Sequence, residues 1–257
     1  MKQIFLRIGL CFLLFFFGCS KAPTDTVSQV STIDALLAGS YDGIMSCENL
    51  LKYGNFGIGT FDRLDGEMIL YDGKFYQVKS DGSIVRPNLG LTTPFASVCF
   101  FVPDRDFYIQ KGSDYKDVKK LIDEAVPNKN IFCAIRIKGN FLTMKTRSVP
   151  AQSKPYPELT EVTKNQPVFY MENIKGTIVG FRCPDFVKGV NVPGYHLHFI
   201  SDDLSNGGHI LGFTVKEGVC EVDICDKYFL ILPDEGKGLK DLDLSRNRSN
   251  DLEKVEK

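Results

Sequence analysis

Tyr195-His196-Leu197-His198-Phe199-Ile200, continuing through Ser201-Asp202-Asp203-Leu204-Ser205-Asn206-Gly207-Gly208 to His209, reads as strand, turn and returning strand. An H-x-H pair at alternate strand positions places both imidazoles on one face of a sheet. The Asp202-Asp203-Leu204-Ser205-Asn206-Gly207-Gly208 run is rich in turn formers, so the chain is expected to fold back there. His209 then opens the antiparallel neighbour and faces the same side. The chain contains only three histidines, and all three fall in this stretch. Three imidazoles converging from a rigid hairpin match a catalytic zinc site, which keeps one coordination position free for water or substrate. The competing reading is three unconnected surface or core histidines, and it is weakened because no histidine occurs elsewhere.

The chain has 257 residues and a net charge of -1, enough for one large domain or two small ones with a real core. No basic block or aromatic-basic patch points to nucleic acid, so the expected partner is a small molecule. Lys2 and Arg7 precede an apolar run over residues 8–17, too short for a comfortable membrane span and expected to be an export signal. Gly18-Cys19 behind it resembles the lipobox of bacterial lipoproteins, although Phe16 stands where that motif usually has leucine. Acylation of Cys19 would leave the protein anchored to the membrane, facing the periplasm or cell exterior. Cys47, Cys99, Cys133, Cys183, Cys220 and Cys225 make an even set that an exported chain can oxidise. Their apolar neighbours argue for free, buried thiols. No C-x-x-C pair is present, which disfavours thiolate zinc chemistry.

Residues 1–19 are thus read as a lipoprotein-type signal and 20–30 as a flexible linker. A short helix is expected at Thr32-Ile33-Asp34-Ala35-Leu36-Leu37. Short apolar runs at Gly57-Ile58-Gly59-Thr60-Phe61, Glu67-Met68-Ile69-Leu70-Tyr71 and Lys74-Phe75-Tyr76-Gln77-Val78 are punctuated by Asp65-Gly66, Asp72-Gly73 and Asp81-Gly82, the signature of an antiparallel meander. Val118, Leu121, Ile122 and Ala125 recur at helical spacing, with Ser113 or Asp114 as cap and Pro127 as stop. Pro150, Pro155 and Pro157 suggest a boundary. The expected fold is therefore α+β and β-rich: two related lobes of mixed or antiparallel sheet with few helices, a β-rich lobe over 31–158 and a histidine-bearing lobe over 159–257.

Other residues stay ambiguous when read singly. Arg136, flanked by Ile135 and Ile137, is as readily a snorkelling surface cation as a functional one. Glu67 directly follows the Asp65-Gly66 turn. Asp202 and Asp203 more often cap a turn than bind metal. Glu253 and Glu256 sit near the C-terminus, where charge is usually just solvated.

Gly57-Ile58-Gly59-Thr60-Phe61, Leu64-Asp65-Gly66-Glu67, Ser80-Asp81-Gly82, Ile135-Arg136-Ile137-Lys138-Gly139-Asn140-Phe141, Lys145-Thr146-Arg147-Ser148-Val149-Pro150 and the Gly194 to Asp203 stretch together resemble the α-acetolactate decarboxylase family. The similarity runs in order from about residue 40 to the C-terminus. It implies zinc bound by His196, His198 and His209, with a glutamate near the C-terminus reaching back to the metal. Glu256 fits that position, and Glu253 is the alternative. It further implies Glu67 and Arg136 as the catalytic pair, Thr60 in the substrate pocket, no organic cofactor, and a homodimer. The implied reaction is decarboxylation of acetolactate to acetoin. Zinc would stabilise the charge left by CO2, Arg136 would orient the carboxylate or hold charge near the enediolate, and Glu67, or a group relayed through Arg136, would deliver the proton.

Two other enzymes can be built on the same histidines. One is a zinc hydrolase with Glu67 as base, and the other a cupin-like metal oxygenase or isomerase. An anchored binding protein with structural zinc is the weakest reading, because structural sites usually use cysteine and none is close.

Overall fold

Asp72 and Gly73 take φ values of 48° and 72°, the left-handed pair that a two-residue hairpin demands, and Tyr71 pairs directly with Lys74 across it. The computed structural model describes residues 24–233 and 238–256. In chain order its first elements are β1 (Thr26–Val30), α1 (Ile33–Leu37), β2 (Met45–Ser46), α2 (Cys47–Leu50), β3 (Phe56–Thr60), β4 (Glu67–Tyr71), β5 (Lys74–Val78) and β6 (Ile84–Val85). Then come β7 (Thr92–Thr93), β8 (Ala96–Cys99), β9 (Arg105–Ile109), α3 (Tyr115–Ala125), β10 (Phe132–Arg147) and α4 (Leu159–Val162). The chain closes with β11 (Val168–Cys183), β12 (Gly194–Ser201), β13 (Gly207–Cys225), β14 (Lys227–Ile231) and α5 (Ser249–Glu256).

One sheet runs β14-β1-β8-β3-β4-β5-β6, antiparallel except for the parallel β1–β14 pair. The expected meander is its β3-β4-β5-β6 half. In the second sheet β10 pairs with β11 on one side and β13 on the other, while β11 pairs with β12. Three rungs, His198–His209, Phe199–Gly208 and Ile200–Gly207, join β12 to β13 and close β10-β11-β12-β13 into a ring. Strand β9 extends the sheet along the second half of β13.

Period-two alternation divides the work of the second sheet's two faces. Ile135, Ile137, Phe141, Leu197, Phe199 and Val222 face a core covered by Val118 and Ile122 of α3. That helix starts as expected, since Asp114 and Asp117 form a reciprocal capping box. The opposite face offers Ala134, Val179, Phe181 and Ile200 to Val27, Ile58, Ile69 and Val78 of the first sheet. Each such fully buried aliphatic side chain contributes about 1.5–3 kcal/mol. His198 pairs with Val179 and therefore points into this seam between the sheets.

Strand-rich architecture with few helices agrees with expectation, but two boundaries do not. Residues 26–30 belong to no linker: β1 is buried between β14 and β8. Its polar residues hide this because their bonding is internal, Gln29 donating to the carbonyls of Ser31 and Val190 at 2.7 and 2.6 Å. Nor does the fold divide at residue 158. Strand β10, from the expected first lobe, lies at the centre of the histidine-bearing sheet, and β14 returns to pair with β1. The export segment with Cys19 lies outside the described residues. Cys47, Cys99, Cys133, Cys183, Cys220 and Cys225 are all free and buried.

Candidate metal centre and active site

The histidine hairpin forms as its sequence requires. His198 and His209 stand directly opposite on β12 and β13, and His196 lies two residues back on the same face. Ring centroids are separated by 5.1, 5.0 and 5.4 Å, and one nitrogen from each ring lies within 4.8 Å of the others. The acidic turn residues take their structural roles. Asp203 accepts from the Ser201 hydroxyl at 2.6 Å and the Ser205 amide at 3.1 Å, and Asp202 pairs with Lys175.

The donor set fits a metal ion. His198 Nδ1 donates to the Met68 carbonyl at 2.9 Å, which leaves Nε2 as the ring's lone-pair nitrogen. That Nε2 is buried and has no hydrogen-bond partner. An orphaned imidazole nitrogen, oriented from behind by a backbone carbonyl and facing two further imidazoles, is the arrangement of a metal ligand. Burial and the charge of Arg147 push His196 down to about 3 and hold His198 and His209 well below the usual imidazole range. All three therefore present neutral rings at ordinary pH.

Two carboxyl groups complete the wall. The Leu64-Asp65-Gly66 turn delivers Glu67 at the start of β4, with its Oε2 3.4 Å from His198 Nε2. Helix α5 ends at Glu256, whose Oε2 lies 3.8 Å from His209 Nε2. Glu253 belongs to the same helix but lines a larger cavity beside it. Burial raises Glu67 to about 8, with Arg147 opposing and the like charge of Glu256 adding. Glu256 is raised to about 7 by burial, again opposed by Arg147.

The cation of the site is Arg147 rather than Arg136. Arg147 is 4% exposed, lines the same small cavity of about 50 Å³ as Gly59, Glu67, His196, His209 and Glu256, and donates from Nη2 to the Val255 carbonyl. It thereby ties the end of α5 to β10 and brings Glu256 to the histidines. Arg136 shares a sheet face with His198 across Val179, yet its fork is committed elsewhere. Its Nε and Nη2 donate to Glu221 at 2.7 and 2.8 Å, Asp72 stands 3.7 Å from Nη1, and the guanidinium lies over the Phe101 ring. Arg136, expected as a catalytic residue, is thus placed with its donors on Glu221 and is not among the residues lining the cavity that Arg147 lines.

Thr60 pairs in register with Glu67, but its hydroxyl donates to the Gly66 carbonyl at 2.7 Å, so it braces the turn that aims Glu67. Gln166 was not singled out in the sequence. It lines the cavity, and its Oε1 is buried without a partner. Only its place before a proline marks it in the sequence, and that signal concerns backbone rather than chemistry.

The sequence profile of the alpha-acetolactate decarboxylase family matches residues 27–246. Alpha-acetolactate decarboxylase of Methanosarcina mazei is 46% identical over 238 residues, spanning 93% of this chain and 82% of that protein. The Bacillus subtilis enzyme is 43% identical over 210 residues, 82% of each chain. A crystal structure of alpha-acetolactate decarboxylase from Bacillus subtilis strain 168 superposes with a TM-score of 0.87 at 39% identity, covering 90% of this chain and 99% of that one. This chain belongs to the alpha-acetolactate decarboxylase family.

Proposed function

We propose that this protein decarboxylates (S)-2-acetolactate to (R)-acetoin and CO2, with a zinc ion held by His196, His198, His209 and Glu256. The observation that carries the reading is the orphaned, carbonyl-oriented Nε2 of His198, which faces two neutral imidazoles in a cavity that also holds Glu67 and Arg147. A divalent ion there supplies a Lewis acid for the negative charge that decarboxylation leaves on the substrate oxygens.

The chain's own groups account for the rest. The Arg147 guanidinium, desolvated and fixed by Val255, receives the substrate carboxylate through its planar fork and orients the bond to be broken. As that carbon–carbon bond breaks, CO2 departs and its electron pair stays with the former C2. Glu67, in the cavity wall with its Oε2 3.4 Å from His198 Nε2, delivers a proton to C2 from one side. One-sided delivery gives a single acetoin enantiomer, and solvent then reprotonates Glu67.

Incubation of the zinc-loaded protein with racemic acetolactate tests the reading, with acetoin and CO2 as the measured products. Equal yields of both are expected. Absence of acetoin, or hydrolysis of ester substrates instead, would sink it. Two further readings stand as proposals with their own tests. Assembly as a homodimer is read by light scattering. Export with acylation of Cys19, carried by Gly18-Cys19 behind the apolar run, predicts incorporation of a fatty-acid analogue that Cys19→Ser abolishes.

A further inference from the structure

We propose that Cys99, Asp223 and Cys225 form a second metal site, distinct from the histidine centre, that takes a zinc-class divalent ion and staples the two sheets together. Asp223 and Cys225 alternate on β13 and share a face, as His196 and His198 do on β12. Cys99 ends β8 of the other sheet. One donor atom from each of the three lies within 4.8 Å of the others, and all three residues are at most 1% exposed.

A cluster of this kind has ordinary explanations, and one atom argues against them. Asp223 Oδ2 accepts from the Val102 amide at 3.0 Å, but Oδ1 is buried with no partner. A half-satisfied carboxylate in an apolar seam is costly unless a proton or a cation neutralises it. Burial, with the like charges of Asp104 and Asp25 adding and the Val102 amide opposing, pushes its carboxyl up to about 6. No Lys, Arg or His side chain is paired with it among the described residues. A Cys99–Cys225 disulfide would consume the thiols and still leave Oδ1 orphaned, whereas a metal ion uses all three donors.

The donor chemistry selects the ion. Two thiolates favour soft or borderline metals, and the added carboxylate oxygen favours zinc over monovalent copper. As each sulfur–zinc bond forms, the thiol gives its proton to solvent, and Asp223 binds as the carboxylate, any proton it holds going to solvent as well. Because the site is closed, the ion must be taken up as the sheets come together. Its role is therefore structural.

The test uses full-length chain from zinc-supplemented and cobalt-supplemented cells. Two zinc ions per chain are expected in the unaltered protein, one in His198→Ala and one in Cys225→Ser. Cobalt-loaded protein should show a thiolate-to-metal charge-transfer band that persists in His198→Ala and is lost in Cys225→Ser. Asp223→Asn keeps both thiols and the shape of the side chain. It should surrender the thiolate-bound ion at chelator concentrations at least about tenfold lower. This variant decides the matter should Cys225→Ser fail to fold. A single ion per chain with no thiolate band would overturn the proposal, as would an oxidised Cys99–Cys225 pair. The band reads this site whether or not the histidines hold metal.

Discussion

Arg147 on β10 stands in register with His209 on β13, so the buried guanidinium and an imidazole of the histidine triad share one rung of the sheet. The rung explains why one cation depresses all three histidines and opposes the upward shift of both carboxyls. Replacing Arg147 by alanine should lower kcat/KM by roughly 100-fold or more, the usual cost of removing a preorganised charge donor. Arg136→Ala should leave kcat/KM within about threefold while lowering stability by about 1–2 kcal/mol through loss of the Glu221 pair. Steady-state kinetics on the two variants separate the arginines.

Glu67→Gln keeps the shape of the side chain and removes the transferable proton. The variant should bind metal normally and lose roughly 100- to 10,000-fold in kcat. Metal analysis beside the rate measurement decides its role, because loss of the ion would make Glu67 a ligand instead.

The titrating groups give the metal-free protein an unusual stability profile. His196, His198 and His209 have folded values below the ordinary 6.5, so the unfolded chain binds more protons and stability falls as pH drops below about 6.5. Glu67 and Glu256 are raised from 4.5 to about 8 and about 7, so here the folded chain binds more protons. Their contribution is present at low pH and is lost as pH rises toward 8. Three histidines outweigh two carboxyls below 6.5, and the carboxyls act alone above it. Denaturant unfolding of chelated protein should therefore show maximal stability near pH 6.5, and a continued rise toward pH 8 would contradict the assignment.

Gly208 lies at φ +126°, and an added Cβ would stand 2.4 Å from the Arg147 carbonyl oxygen. Gly208→Ala should force β13 away from β10 beside His209, costing about 2–3 kcal/mol of stability and weakening metal retention. Thermal unfolding and metal content check both effects.

Gln166 should act on binding. Its unpartnered Oε1 in the cavity wall offers a hydrogen bond to a substrate hydroxyl. Gln166→Leu should raise KM about tenfold at unchanged metal content, with a smaller effect on kcat.

Much of this site was legible because it depends on local rules. H-x-H alternation, a turn-forming segment and the absence of other histidines located the hairpin, and the Asp-Gly dipeptides located the meander that presents Glu67. Arg147 was not legible, because alternation fails along β10. Register shifts at Asn140/Phe141, Phe141/Thr143 and Lys145/Thr146 rephase the ladder between Arg136 and Arg147. The two arginines therefore cannot be placed by counting from one to the other. Strand β1 was missed for a different reason: Ser28 and Gln29 look solvent-facing until their tertiary partners are known. The proline-rich crossing at 150–158 resembled a domain boundary only because pairing between β10 and β13 is invisible in local sequence.

The claim that metal held by the three histidines carries the decarboxylation is tested most directly by CO2 release from acetolactate before and after chelation. Chelated protein should be inactive and regain full rate on zinc addition, while His198→Ala should stay inactive under the same reloading. Sustained turnover in the metal-free protein, or recovery in His198→Ala, would contradict it.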